Sequence, residues 1–164
     1  MDAAIGEHLF ARDGARAWFR QGLGDDARPL DVQALGIQWL LGQGRRADAL
    51  AVAAHADATM WVEGRAMPGV GTIAGYRPYA DAWGPDVLWV EGTLQMRAAK
   101  RALGLDTTVI DRSVDLLSRV SPPGYLPHAD RDVHGNQAGD YHTWAAAGAG
   151  GWHLLSRSRS ALLR

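Results

Sequence analysis

The chain has 164 residues, is 47% hydrophobic and carries a formal net charge of −1. That length suits a single domain with a substantial core, and so small a charge creates no field drawing it to nucleic acid or an anionic membrane. Cysteine is absent, which excludes disulfides, zinc–thiolate sites and thiol catalysis.

The N-terminus, Met1 to Glu7, has neither a basic region nor an apolar run, so no signal peptide is expected. No stretch approaches the ~18 apolar residues of a membrane span. The expectation is a soluble, cytoplasmic protein, or a fragment whose leader lies elsewhere. Asp2 to Ala11 reads as a short helix and Arg12 to Ala15 as a turn around Asp13-Gly14. Leu9–Phe10 and Trp18–Phe19 would then face each other in a small β-ribbon.

After a Gly- and Asp-rich loop, a helix is predicted to start near Asp31. Val32, Leu35, Ile37, Trp39 and Leu40 make it apolar on most sides, and Gly42-Gln43-Gly44 stops it. An Ala-rich helix follows from Arg45 to about Met60. Trp61 to Pro85 reads as a long irregular connection, dense in glycine and aromatic residues. The pattern then returns, with a buried helix from Asp86 to Leu103, a stop at Gly104 and a helix from Asp106 to Arg119. Ser121 to Gly124 breaks that helix, since proline cannot continue it. A loop from Tyr125 to Gly139 precedes a last helix from Asp140, and a basic tail runs from Arg157 to Arg164. Loop, acid, buried helix, glycine stop and polar helix recur with a period of roughly fifty residues. The predicted class is all-α, an arc of antiparallel helical hairpins in one domain spanning 1–164.

The order of several motifs resembles the six-hairpin glycosidases. They are Asp31-Val32-Gln33-Ala34-Leu35-Gly36 with Leu40-Leu41-Gly42-Gln43-Gly44, Gly75-Tyr76-Arg77-Pro78-Tyr79, Trp89-Val90-Glu91-Gly92-Thr93, and Tyr141-His142-Thr143-Trp144. The resemblance implies a partial (α/α) toroid, matching the C-terminal half of that fold, with loops at the inner-helix N-termini building a sugar cleft. It also implies a carbohydrate substrate and no cofactor. Half a toroid would leave an apolar edge, so a second copy or a partner chain is expected to complete it. The alternative is a non-catalytic helical module for glycan binding or protein assembly.

Candidate site residues follow from local context. Glu91 lies in the apolar run Val87 to Gly92, where desolvation should raise its pKa and suit it to general acid catalysis. It would otherwise be structural, pairing with an arginine such as Arg77. Asp31, Asp86 and Asp140 each precede a predicted inner helix, either capping it or lining a shared cleft. Asp31 or Asp140 would be the ionised partner of Glu91. Trp61, Tyr76, Tyr79, Trp83 and Trp89 would stack on sugar rings or pack their loop onto the core. Tyr141, His142 and Trp144 open the last helix, with His142 a hydrogen-bond donor or a structural residue. His128, Asp130, Asp132 and His134 alternate, so an extended backbone would put them on one face as metal ligands or as solvated groups. No resident metal is expected. Walker, GxGxxG, HExxH and GxSxG motifs are all absent.

Overall fold

The computed structural model describes residues 4–123, 125–134 and 139–157. The chain is mixed α/β, 48% helical and 22% strand, which corrects the all-α expectation. The strands form three two-stranded antiparallel sheets among the described residues. The predicted basic tail from residue 158 onward, and the first residues of the predicted N-terminal helix, lie outside the described residues.

Among the described residues the N-terminal segment is a π-helical turn, Ile5–Leu9, which gives way to strand at Phe10, before the predicted end at Ala11. β1 (Phe10–Asp13) and β2 (Arg16–Phe19) then pair with Phe10 opposite Phe19. Asp13-Gly14 makes the turn, with Gly14 at φ 57°. Phe19 plunges into the core and meets Trp39 edge-on.

Two helical hairpins follow a common plan. α1 (Leu30–Gly42) buries Leu30, Ala34, Ile37 and Leu40, a stripe at helical spacing. α2 (Arg46–Met60) packs its small Ala49, Ala53 and Ala56 against it. At the α1 stop, Arg45 N–H reaches Leu40 O at 2.8 Å and Gly44 N–H reaches Leu41 O at 3.0 Å. That is a Schellman motif with Gly44 in the left-handed conformation. α3 (Val90–Ala102) ends the same way, with Leu105 N–H on Lys100 O and Gly104 at φ 71°. α4 (Thr108–Val120) is the second arm.

The stretch read as an irregular connection is instead a hairpin, β3 (Trp61–Met67) and β4 (Gly71–Tyr76). Pro68 and Gly69 occupy the two centres of the turn, closed by Val70 N–H on Met67 O, and Gly69 has φ 75°. Gly64, at φ 70°, sits in the register shift between Val62 and Arg65. The glycines that disguised these strands are therefore a turn and a bulge within them. The hairpin packs against α4, where Ser113 Oγ accepts Ala74 N–H at 2.9 Å.

α3 is buried at nearly every position from Val90 to Ala99 because it lies between α1 and α5 (Ala147–Arg157). β5 (Leu126–Pro127) and β6 (Ala145–Ala146) lead into α5. The inner helices expected at Asp86 and Asp140 thus begin later, at Val90 and Ala147. Asp86 does not cap α3, and Asp140 lies seven residues short of α5; the first amides of α1 and α3 are taken by backbone carbonyls. Leu30 N–H donates to Pro78 O at 2.8 Å and Val90 N–H to His128 O at 3.0 Å. No helix among the described residues is long and apolar enough to cross a membrane.

The N-terminal ribbon is docked by one side chain. Gln33, 1% exposed, accepts Phe19 N–H and donates to Phe19 O, both at 2.8 Å, and to Pro29 O at 3.1 Å. Gln33→Leu would leave the Phe19 N–H and carbonyl buried without that partner, at about 1–3 kcal/mol each, while Pro29 O keeps Gln33 N–H. Urea unfolding should show a loss of about 2–4 kcal/mol. A change below about 1 kcal/mol would mean that the ribbon docks without this contact.

Candidate functional site

Asp31 and Glu91 are the second residues of α1 and α3, and Gly148 is the second residue of α5. Since α3 touches both neighbours, these equivalent positions converge at one end of the helical layer. Side chains at a helix start lean toward its N-terminus, so both carboxylates lie at that end of their helices. Asp31 Oδ1 accepts Val32 N–H at 2.9 Å. Glu91 Oε1 receives Gln95 Nε2 at 3.5 Å. The carboxylate of Glu91 rests against Gly148, where an added Cβ would come within 2.9 Å of Glu91 Cδ.

The electrostatics tie these groups together. Burial pushes the Glu91 carboxyl above its ordinary range, and the negative charge of Asp31 pushes it the same way. Burial raises the Tyr79 hydroxyl, helped by Asp31 and then Asp25. Tyr141 is raised by burial first, then by Tyr79 and Asp31. Asp31 is thus the charge felt by Glu91, Tyr79 and Tyr141 alike. Tyr79 reaches this place because its backbone bridges Pro29, the residue before α1. Tyr141 does so through the stack of its ring on His128, whose carbonyl caps α3.

Several aromatic side chains lie on the segments that flank these helix starts. Tyr79 packs on Trp83 at 4.7 Å between ring centres, and Trp83 remains 46% exposed. Trp89, half-buried, lies over Gly92 beside Leu30, and its indole N–H is shut from solvent without a hydrogen-bond partner. His142 stacks on Trp144 at 3.7 Å, and Trp144 is 65% exposed.

Other expected members lie elsewhere. Trp61 and Tyr76 pack edge-on at 5.0 Å, and the Tyr76 hydroxyl donates to Asp57 and accepts from Lys100 Nζ at 3.2 Å. Lys100 is nine residues beyond Glu91 on α3, so this core cluster lies about 13 Å along the helix from the acids. Asp86 is exposed in the loop before α3 and paired with Arg65 at 2.7 Å, which holds its carboxyl below the ordinary range. Arg77, weighed as a partner for Glu91, approaches Asp86 at 3.8 Å. Asp140 stands seven residues before α5, 3.8 Å from His134. It does not stand at a helix start, whereas Asp31 does.

The alternating His–Asp segment divides its labour. Asp130 is buried, accepts Leu88 N–H at 2.7 Å and pairs with Arg131 and Arg65. Asp132 accepts Thr143 N–H at 2.7 Å. Gly148 has no side chain to single it out in the sequence. Which side chain approaches it depends on a contact between helices more than fifty residues apart in sequence. No family model matches the chain, and neither a curated protein nor a solved structure matches it.

A raised carboxyl carries a signature in stability. Glu91 is held in an environment that favours its neutral form. Its stabilising contribution is complete at pH below its unfolded pKa and is lost as pH rises through the higher folded value. Glu91→Gln removes this titration. The melting temperature of the variant should therefore gain on that of the wild type between pH 4 and pH 7. Parallel melting curves across that range would refute a raised Glu91.

Proposed function

We propose that the chain acts on a carbohydrate as a glycoside hydrolase-like protein or part of one, with Glu91 as the acid and Asp31 as its ionised partner. The observation that carries the reading is Glu91 itself, with a carboxyl raised by burial and by the charge of Asp31 at the start of the neighbouring helix. Glycoside hydrolysis needs such a division, one carboxyl keeping its proton for the leaving oxygen and another staying charged to act as nucleophile or base. Tyr79, Trp83 and Trp144 supply ring faces for the apolar faces of sugars. The likeness of the loop motifs to those of six-hairpin glycosidases supports the same substrate class. Leu154 and Leu155 on α5, 65% and 43% exposed, supply an apolar edge for a second copy or a partner chain.

The test combines hydrolysis of a panel of glucans and aryl glycosides with melting, for the wild type and three variants. Glu91→Gln should lower the rate a hundredfold or more without lowering the melting temperature, since general acids contribute about 10²–10⁴-fold. Asp31→Asn should also reduce the rate, and it should lower the raised pKa of Glu91. Gly148→Ala should displace the Glu91 carboxylate, costing at least tenfold in kcat while leaving melting nearly unchanged, because alanine suits a helix. Full activity in Glu91→Gln would end the acid role. A wild type that binds glycans without cleaving them, and loses binding on Trp83→Ala, would favour the alternative of a non-catalytic glycan-binding module.

A further inference from the structure

The ribbon that carries Tyr141 has a second face. Val133 and Tyr141 pair across it, each N–H donating to the other's carbonyl at 2.9 Å. Tyr141 turns inward with Val133, against Val87 and Ala129. Successive residues of an extended strand alternate faces, so the flanking positions project the other way. His134 stands opposite Asp140, and Asp132 opposite His142, all on that outer side. Asp132 is engaged, accepting the Thr143 N–H at 2.7 Å and its hydroxyl at 3.1 Å. The other three each offer one ligand atom, and these atoms all lie within 4.8 Å of one another.

We propose that His134, Asp140 and His142 form a binding site for a divalent transition-metal ion of the zinc class. Two imidazoles and one carboxylate make a nitrogen-rich set that suits zinc and its neighbours, whereas magnesium and calcium take oxygen ligands. Zinc bonds to such ligands are about 2.0–2.2 Å, which places tetrahedral ligand atoms roughly 3.4 Å apart. The three groups must therefore close by about an ångström. His134 and Asp140 are exposed, and they already approach to 3.8 Å.

A second observation comes from His142. Its ring is fixed by stacking on Trp144 at 3.7 Å, and it lies 5.0 Å from the His134 ring, centre to centre. Its Nδ1 is shut from solvent and has no hydrogen-bond partner. A fixed imidazole with a partnerless nitrogen can give that nitrogen's lone pair to a cation or to a hydrogen-bond donor. Three protein ligands leave a fourth position, which the exposed side of the ribbon opens to water. The ion would hold His142, and through it the exposed Trp144 face, in one orientation. The site stands on the ribbon alone and does not depend on Glu91 being catalytic.

The experiment is calorimetric titration of the full chain with zinc chloride, with cobalt(II) absorption as a report of tetrahedral geometry. The expected result is one saturable site, weakened at least tenfold by His134→Ala and by Asp140→Asn, with far-ultraviolet circular dichroism unchanged in both. Both substituted residues are exposed, so their variants should fold. Wild type without saturable zinc binding overturns the proposal. So does binding that survives either substitution undiminished.

Discussion

The first amide of α1 and the first amide of α3 are each satisfied by a backbone carbonyl that arrives much later in the chain, from Pro78 and from His128. A helix start exposes N–H groups that need acceptors, and most proteins supply them from a neighbouring Ser, Thr, Asp or Asn side chain. Here neither helix has a side-chain cap; the residues before them are Pro29 and Trp89. The following loop must therefore lie across each helix start. His128 N–H continues the arrangement onto Trp144 O, which links the third unit to the second. With the Leu30 and Val90 amides held by carbonyls, the Asp31 carboxylate takes Val32 N–H, and the Glu91 carboxylate rests against Gly148.

The same packing sets the electrostatics. α3 can sit close to its neighbours because glycine stands at its crossings. A methyl group at Gly92 would overlap Trp89 and Leu30, and one at Gly75 would come within 2.7 Å of the Thr93 hydroxyl. Close approach removes water from Glu91, and water is what keeps a carboxylate charged. The acid property is thus a by-product of glycine placement. At the far end of α3 the opposite solution holds. Lys100 meets Asp57 at 2.9 Å beneath Tyr76, so charge is paired there rather than desolvated alone.

What the sequence revealed was mostly local. Gly44 and Gly104 announced the helix stops, and both became Schellman motifs, since only a residue tolerant of positive φ fits there. Asp13-Gly14 between aromatic residues announced the first ribbon. Glu91 stood out because a carboxylate inside an apolar run has few solvated conformations. What stayed hidden was non-local. Asp86 and Asp140 looked like caps because aspartate commonly is one, yet the true acceptors lay on distant loops. Pro68-Gly69 was a type II turn in plain view, but the density of glycine around it masked two strands. Tyr76 stands three residues before Tyr79 yet joins Trp61, Asp57 and Lys100, while Tyr79 packs on Trp83. Side-chain direction depends on which strand a residue occupies, and those strands had not been recognised.

The long-range caps also give the molecule an arrow in time. A chain is made from its N-terminus, and its segments fold as they emerge. α1 can form its own turns and stop at Gly44 at once, but the acceptor for Leu30 is not yet synthesised. It appears only with Pro78, after the second helix and the β-hairpin have been translated. α3 waits in the same way for His128. Each of these two helix starts is therefore completed only by a segment translated after it.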